Sequence, residues 1–214
     1  MPYTIETIAE RISARRVGDT PATIDWLLTD SRSLSFPEET LFFALTTKRN
    51  DGARYIPDLY SRGVRNFVVS KEAYKWVESG QLAMSNSDML AVNFLVVANP
   101  LKALQKLAEQ HREQFQIPVI GITGSNGKTI VKEWLHQLLS PERAIVRSPR
   151  SYNSQIGVPL SVWQMNGQSE LAIFEAGISE MGEMRALQNI IKPTIGILTN
   201  IGGAHQENFF SLQE

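Results

Sequence analysis

Gly121-Ile122-Thr123-Gly124-Ser125-Asn126-Gly127-Lys128-Thr129 carries the clearest chemistry in this chain. An apolar run precedes it and an amphipathic stretch follows, the strand–loop–helix setting that a phosphate-binding loop requires. Glycines let the backbone wrap an anion and aim N–H groups at it, and the helix N-terminus adds partial positive charge. Gly124, Ser125, Asn126 and Gly127 form the cradle. Lys128 is placed to reach the β- and γ-phosphates of ATP, and the Thr129 hydroxyl to hold Mg²⁺. The general motif wants glycine where Ile122 stands. The loop therefore follows a narrower pattern, Thr-Gly-[Ser/Thr]-Asn-Gly-Lys-[Ser/Thr].

Three further segments place polar groups directly after apolar runs or in a loop beside them. Leu171-Ala-Ile-Phe-Glu175-Ala-Gly177 ends a strand in a carboxylate. Glu175 could share a hard cation with Thr129, or simply close a strand in solvent. Thr199-Asn200-Ile-Gly-Gly-Ala-His205 offers a histidine for a metal or a phosphate, although a lone histidine is as often a loop residue. Ser151-Tyr152-Asn153-Ser154-Gln155-Ile156-Gly157-Val158-Pro159 is a polar loop before a helix, from which Asn153 could face the γ-phosphate. His111 and His136 lie in helical patterns and read as ordinary helix residues. The four tryptophans, Trp26, Trp76, Trp134 and Trp163, read as core.

The elements that must position these groups repeat regularly. Apolar runs at Val119–Ile122, Ala144–Val146, Leu171–Phe174 and Ile195–Leu198 alternate with helical patterns at Ile130–Leu139, Val158–Met165 and Gly182–Ile190. That alternation predicts a parallel sheet with both faces covered, whose ligands bind beyond the carboxyl ends of the strands. Upstream, short helices are expected at Ile5–Ile12, Ala53–Arg62 and Ala73–Ser79. Extended segments are expected at Trp26–Leu28, Leu41–Leu45, Phe67–Val69 and Phe94–Ala98. Asn99-Pro100 breaks the extended run, and Leu101–Phe115 reads as a helix opening a second domain. The fold class is thus α/β: a small domain over 1–98 and a P-loop, parallel-sheet domain over 99–214. Four strands are fewer than such sheets usually hold, so the second domain reads as incomplete and the chain as a fragment.

Bulk properties exclude several functions. Of 214 residues, 43% are hydrophobic and 20% charged, with a net charge of −1, which recruits neither nucleic acid nor an anionic membrane surface. There are no cysteines, so disulfides, thiol catalysis and cysteine-bound metals are excluded. The start has no secretory pattern, and no apolar run approaches the roughly 20 residues that span a bilayer, making the cytoplasm the expected location.

Together the four segments resemble the Mur ligase family, the ATP-dependent enzymes that build the peptide stem of peptidoglycan. The amino-terminal part resembles its uridine-nucleotide-binding domain through Asp30-Ser31-Arg32, Pro37-Glu-Glu-Thr-Leu-Phe-Phe-Ala44 and Asn50-Asp51-Gly52. The resemblance implies that Lys128 binds ATP phosphates, that Thr129 and Glu175 hold one Mg²⁺, and that His205 serves a second. It further implies that Asn153 and Asn200 line the site, and that Ser31, Arg32, Asn50 and Asp51 belong to a UDP-sugar pocket. Asn153…Ile156-Gly157-Val158-Pro159 and Asn200…Ala204-His205-Gln206-Glu207 are similar to the branch that joins D-Ala-D-Ala to UDP-MurNAc-peptide, closest to the form fused to alanine racemase. The rivals are a branch adding a diamino acid or lysine, and a non-catalytic ATP-binding module. Pro37-Glu38-Glu39 departs from the family's Pro-Gly-Asp. The family's carbamylated lysine and carboxy-terminal domain lie beyond these residues, so the chain alone is expected to lack ligase activity.

Overall fold

A computed structural model of the protein describes residues 2–47, 50–81 and 91–202. The chain divides into two compact units, Met1–Leu107 and Ala108–Glu214. The division falls inside the helix that the sequence places at the start of the second domain.

In the first unit, β1 (Tyr3–Thr4) leads into α1 (Ile5–Arg11), where the Thr4 side chain accepts from Thr7 N and Ile5, Ile8 and Ala9 are buried. Then come β2 (Arg15–Val17), β3 (Thr23–Ile24), β4 (Trp26–Leu28), β5 (Thr40–Phe43), α2 (Ile56–Ser61), β6 (Asn66–Ser70), α3 (Lys71–Glu78) and β7 (Asn93–Val97). The sheet order is β2-β7-β6-β5-β4, parallel except for β2, while β1 pairs β3 separately. Every residue of β5 and β7 is buried, as expected of central strands covered on both faces. The rings of Phe67 and Phe94 stack at 5.7 Å within this core. The charged strand β2 escapes hydrophobic periodicity. It is held as an edge by Arg16, whose Nε donates to Asn93 Oδ1 at 3.1 Å and whose Nη2 donates to Thr20 O at 2.8 Å.

α4 (Pro100–Arg112) connects to β8 (Val119–Thr123), α5 (Lys128–Leu139), β9 (Ile145–Arg147), α6 (Gly157–Val162), β10 (Leu171–Glu175), α7 (Glu183–Ile191) and β11 (Ile195–Leu198). Among the described residues the second unit has four strands, all parallel, in the order β11-β8-β10-β9. The protein is therefore α/β, as the alternating pattern predicts. Period-two alternation sorts the strand residues between two cores. Val119, Ala172 and Phe174 pack with Val158, Leu187 and Ile190, while Ile120, Ile122, Leu171 and Ile173 meet Val131, Leu135 and Leu139 of α5. Strand β8 sends the chain one way, over β10 to β9. Strand β10 sends it back across β8 to β11. The order thus reverses between β8 and β10, the kind of switch point beyond whose strand ends open α/β sheets bind ligands.

The core reading of the tryptophans holds for Trp163 alone, which is 8% exposed. Trp134 is 63% exposed, and Trp26 and Trp76 are exposed as well. For Trp134 the cause is the rotation of α5. Lys128, Val131, Lys132, Leu135 and Leu139 share its inward stripe, leaving Ile130, Trp134 and Leu138 outside. His111 is buried, with Nε2 3.0 Å from Met165 O and its ring against Phe115 and Trp163. Among the described residues, no helix is long and apolar enough to cross a membrane.

Candidate active site

The phosphate loop leaves β8 and enters α5 with the torsions its glycines allow. Gly124 has φ +132° and Gly127, the residue before the helix, has φ +82°. No side chain caps α5, so its first-turn N–H groups remain available to an anion. Lys128 folds back so that Nζ donates to Gly124 O at 2.5 Å.

A second loop grips the first. After β11, Asn200 O accepts from Ser125 N at 3.0 Å and Asn200 Oδ1 accepts from Asn126 N at 2.9 Å. Thr199 Oγ1 donates to Asn126 O at 2.6 Å, and Gly202 N donates to Ser125 Oγ at 2.8 Å. Asn200 thus shapes the loop directly. Thr199, for which the sequence reading proposed no role, does the same. A methyl group on Gly124 would sit 2.2 Å from Thr199 Oγ1 and 2.9 Å from Asn200 O. Gly124→Ala is therefore expected to lower stability by about 2 kcal/mol or more, through strain at φ +132° and this clash. Its nucleotide affinity should fall in parallel. A urea transition coincident with wild type would contradict the clamp.

Register brings β10 alongside: Glu175 is level with Ile122. Thr129 Oγ1 donates to Glu175 Oε2 at 3.0 Å. The other oxygen, Oε1, faces the Lys132 ammonium at 2.9 Å, both side chains being 0% exposed. That contact is an ion pair whose angles are not those of a hydrogen bond, and Oε1 receives none from the described residues. Lys132 was not singled out from the sequence. The available signal was its position one helical turn after Lys128, which puts both on one face. Lys132 Nζ also donates to Ser148 O at 2.8 Å and to Arg150 O, and lies 3.2 Å from Glu133 Oε1. Asn153 O accepts from Gly177 N at 2.8 Å, which places Asn153 against the turn that follows Glu175. His205 and Gly203 lie outside the described residues.

This arrangement has the donor set of a hard-cation site. An ionised carboxylate has about four lone-pair sites, and among the described residues the Glu175 side chain receives one hydrogen bond, from the hydroxyl of Thr129. Among the described residues no three His, Cys, Asp or Glu side chains cluster tightly enough to cage a metal. A hydroxyl and a carboxylate, as at Thr129 and Glu175, are the hard oxygen donors that Mg²⁺ takes one or two at a time together with phosphates and water.

In the first unit, the segments holding the other singled-out residues follow the carboxyl ends of adjacent parallel strands, β4 and β5. Arg32 grips Asp30, with Nη2 2.6 Å from Oδ2, and this hydrogen bonding holds the Asp30 carboxyl below its ordinary pKa. Ser31 O accepts from Arg62 Nη1 at 2.9 Å. Asp51 caps a short helical turn by accepting from Ala53 N at 3.0 Å, and Tyr55 OH donates to Asn50 Oδ1 at 3.3 Å.

Residues 122–214 match the Mur ligase middle domain. The UDP-N-acetylmuramoyl-tripeptide–D-alanyl-D-alanine ligase of Borreliella burgdorferi is 39% identical over 175 residues, covering 82% of this chain and 37% of that protein. The enzyme of the same name from Bacillus subtilis is 30% identical over 210 residues, covering 97% of this chain and 43% of that protein. The chain thus spans less than half the length of these relatives. Among solved structures, MurF from Acinetobacter baumannii superposes with a TM-score of 0.83 at 26% identity, covering 100% of this chain and 44% of that one. MurF from Thermotoga maritima in complex with ADP gives 0.70 at 28% identity, covering 87% and 40%.

Proposed function

Because the chain belongs to the Mur ligase family, we propose that it serves in a MurF-type ligase, joining D-Ala-D-Ala to UDP-MurNAc-tripeptide with conversion of ATP to ADP and phosphate. The observation that carries this reading is the meeting of three groups at the ends of β8 and β10: the uncapped loop with Lys128, the Thr129 hydroxyl, and the buried carboxylate of Glu175. The choice of D-Ala-D-Ala is supported by the relatives that carry that name.

In this reading the N–H groups of Gly127, Lys128 and Thr129, at the uncapped start of α5, meet the phosphates, and Lys128 leaves Gly124 O to neutralise the γ-phosphate. Thr129 and Glu175 would hold Mg²⁺, which when bound offsets phosphate charge as it develops. An oxygen of the tripeptide carboxylate attacks the γ-phosphorus, and ADP leaves. The amine of D-Ala-D-Ala then attacks the acyl carbon, forming the amide and releasing phosphate and a proton. Such chemistry rests on positioning and charge neutralisation more than on a strong base. Asn153 faces the reacting end of the nucleotide. Asn200 acts through the loop it holds. His205 is assigned to a second Mg²⁺, and Ser31, Arg32, Asn50 and Asp51 to the UDP-sugar. ATP and nucleotide-linked sugars are cytoplasmic metabolites, and the reaction is placed in that compartment.

An enzyme carrying this chain, supplied with ATP, Mg²⁺ and UDP-MurNAc-tripeptide, should convert ATP to ADP and phosphate only when D-Ala-D-Ala is present. Conversion with UDP-MurNAc-dipeptide and a diamino acid or lysine instead would make it MurE-type. Nucleotide binding without turnover on any amine would reduce it to a binding module.

A further inference from the structure

Lys132 has no role in the chemistry just described, yet its ammonium is buried beside the carboxylate at the centre of the site. A buried ion pair does little for stability compared with well-packed apolar side chains, so its presence calls for another explanation. The geometry around Glu175 supplies one. The two carboxylate oxygens have different partners: Oε2 accepts from Thr129 Oγ1 at 3.0 Å, on the side of the phosphate loop, and Oε1 lies 2.9 Å from the Lys132 ammonium. The lysine is itself pinned by Ser148 O at 2.8 Å, by Arg150 O and by Glu133 Oε1 at 3.2 Å. Ser148 also fixes the strand end, its Oγ accepting from Glu175 N at 3.1 Å. Neither the ammonium nor the carboxylate can swing away without breaking this set.

With one oxygen facing a fixed ammonium, Glu175 has a single oxygen to offer a cation. Mg²⁺ takes one oxygen per carboxylate in an octahedral shell at about 2.0–2.1 Å, whereas Ca²⁺ takes about 6–8 oxygens and readily uses both of a carboxylate. We infer that Lys132 is a positioning residue that makes Glu175 a one-oxygen ligand and so sets the nucleotide site to accept Mg²⁺ and reject Ca²⁺. This rests on the assignment of Thr129 and Glu175 to the nucleotide's metal.

The test is ADP binding to the full chain by calorimetry, in the presence of Mg²⁺ or Ca²⁺, without recourse to turnover. Wild type should bind ADP with Mg²⁺ and bind it markedly less well with Ca²⁺. In Lys132→Met, the half-saturating Mg²⁺ concentration should rise about 10- to 100-fold, the usual cost of losing a group that orients a ligand, and the preference over Ca²⁺ should narrow. A thermal melt establishes that the variant is folded. If it is not, the wild-type comparison still decides: equal ADP binding with Ca²⁺ and Mg²⁺ overturns the inference and leaves the nucleotide site standing. An unchanged cation preference in folded Lys132→Met also overturns it. Failure of wild type to bind ADP with either cation removes the nucleotide-site reading and this inference with it.

Discussion

Lys128→Ala is expected to abolish turnover in an enzyme carrying this chain, by about a thousandfold or more, the scale on which a preorganised group facing transition-state charge acts. The fold should survive the change. Lys128 is only partly buried, and its ammonium contacts Gly124 O. The loop is shaped instead by Thr199, Asn200 and Gly202, whose bonds to Ser125 and Asn126 do not involve the lysine. Stability should therefore change by less than about 1 kcal/mol, as for a side chain outside the core. ADP affinity should fall with the loss of the cation, while binding of the UDP-sugar should persist, because its assigned residues lie in the other unit. Turnover close to wild type would dismiss Lys128 from the phosphate site. A collapse of stability would show that the loop needs the lysine for its shape.

Glu175→Ala should combine a loss of function with a loss of stability. Removing the carboxylate strands the fully buried Lys132 ammonium beside two carbonyls, with the half-buried Glu133 as its remaining anionic partner. Breaking a buried pair in this way typically costs about 3–5 kcal/mol, and Glu133 at 3.2 Å should keep the loss near the lower figure. Glu175→Gln keeps an acceptor for Thr129 Oγ1 but loses the charge. It should be the more stable variant and still show nucleotide binding that no longer responds to Mg²⁺. Urea denaturation and Mg²⁺-dependent ADP titration read the two effects separately. A Glu175→Ala protein within about 0.5 kcal/mol of wild type would mean that the Lys132–Glu175 pair carries no weight.

The amino-acid sequence by itself determined the phosphate loop and the α/β class, because both are written locally. Positive φ at both Gly124 and Gly127 calls for glycine twice within one short segment. The strands and helices announce themselves by apolar runs and helical periodicity, to within a few residues at their ends. Charged or very short strands such as β2 left no such trace, since an edge held by Arg16 and Asn93 has no apolar alternation. Only the tertiary structure decided which polar groups meet. Strand order is a long-range choice, and β10 beside β8 is what brings Glu175 to Thr129 across 46 residues of chain. The grip of Asn200 on Asn126 spans 74 residues. The burial of Lys132 and the exposure of Trp134 have the same origin. A helix can turn one stripe to the sheet, and α5 turns the stripe that keeps its lysines at the strand tips.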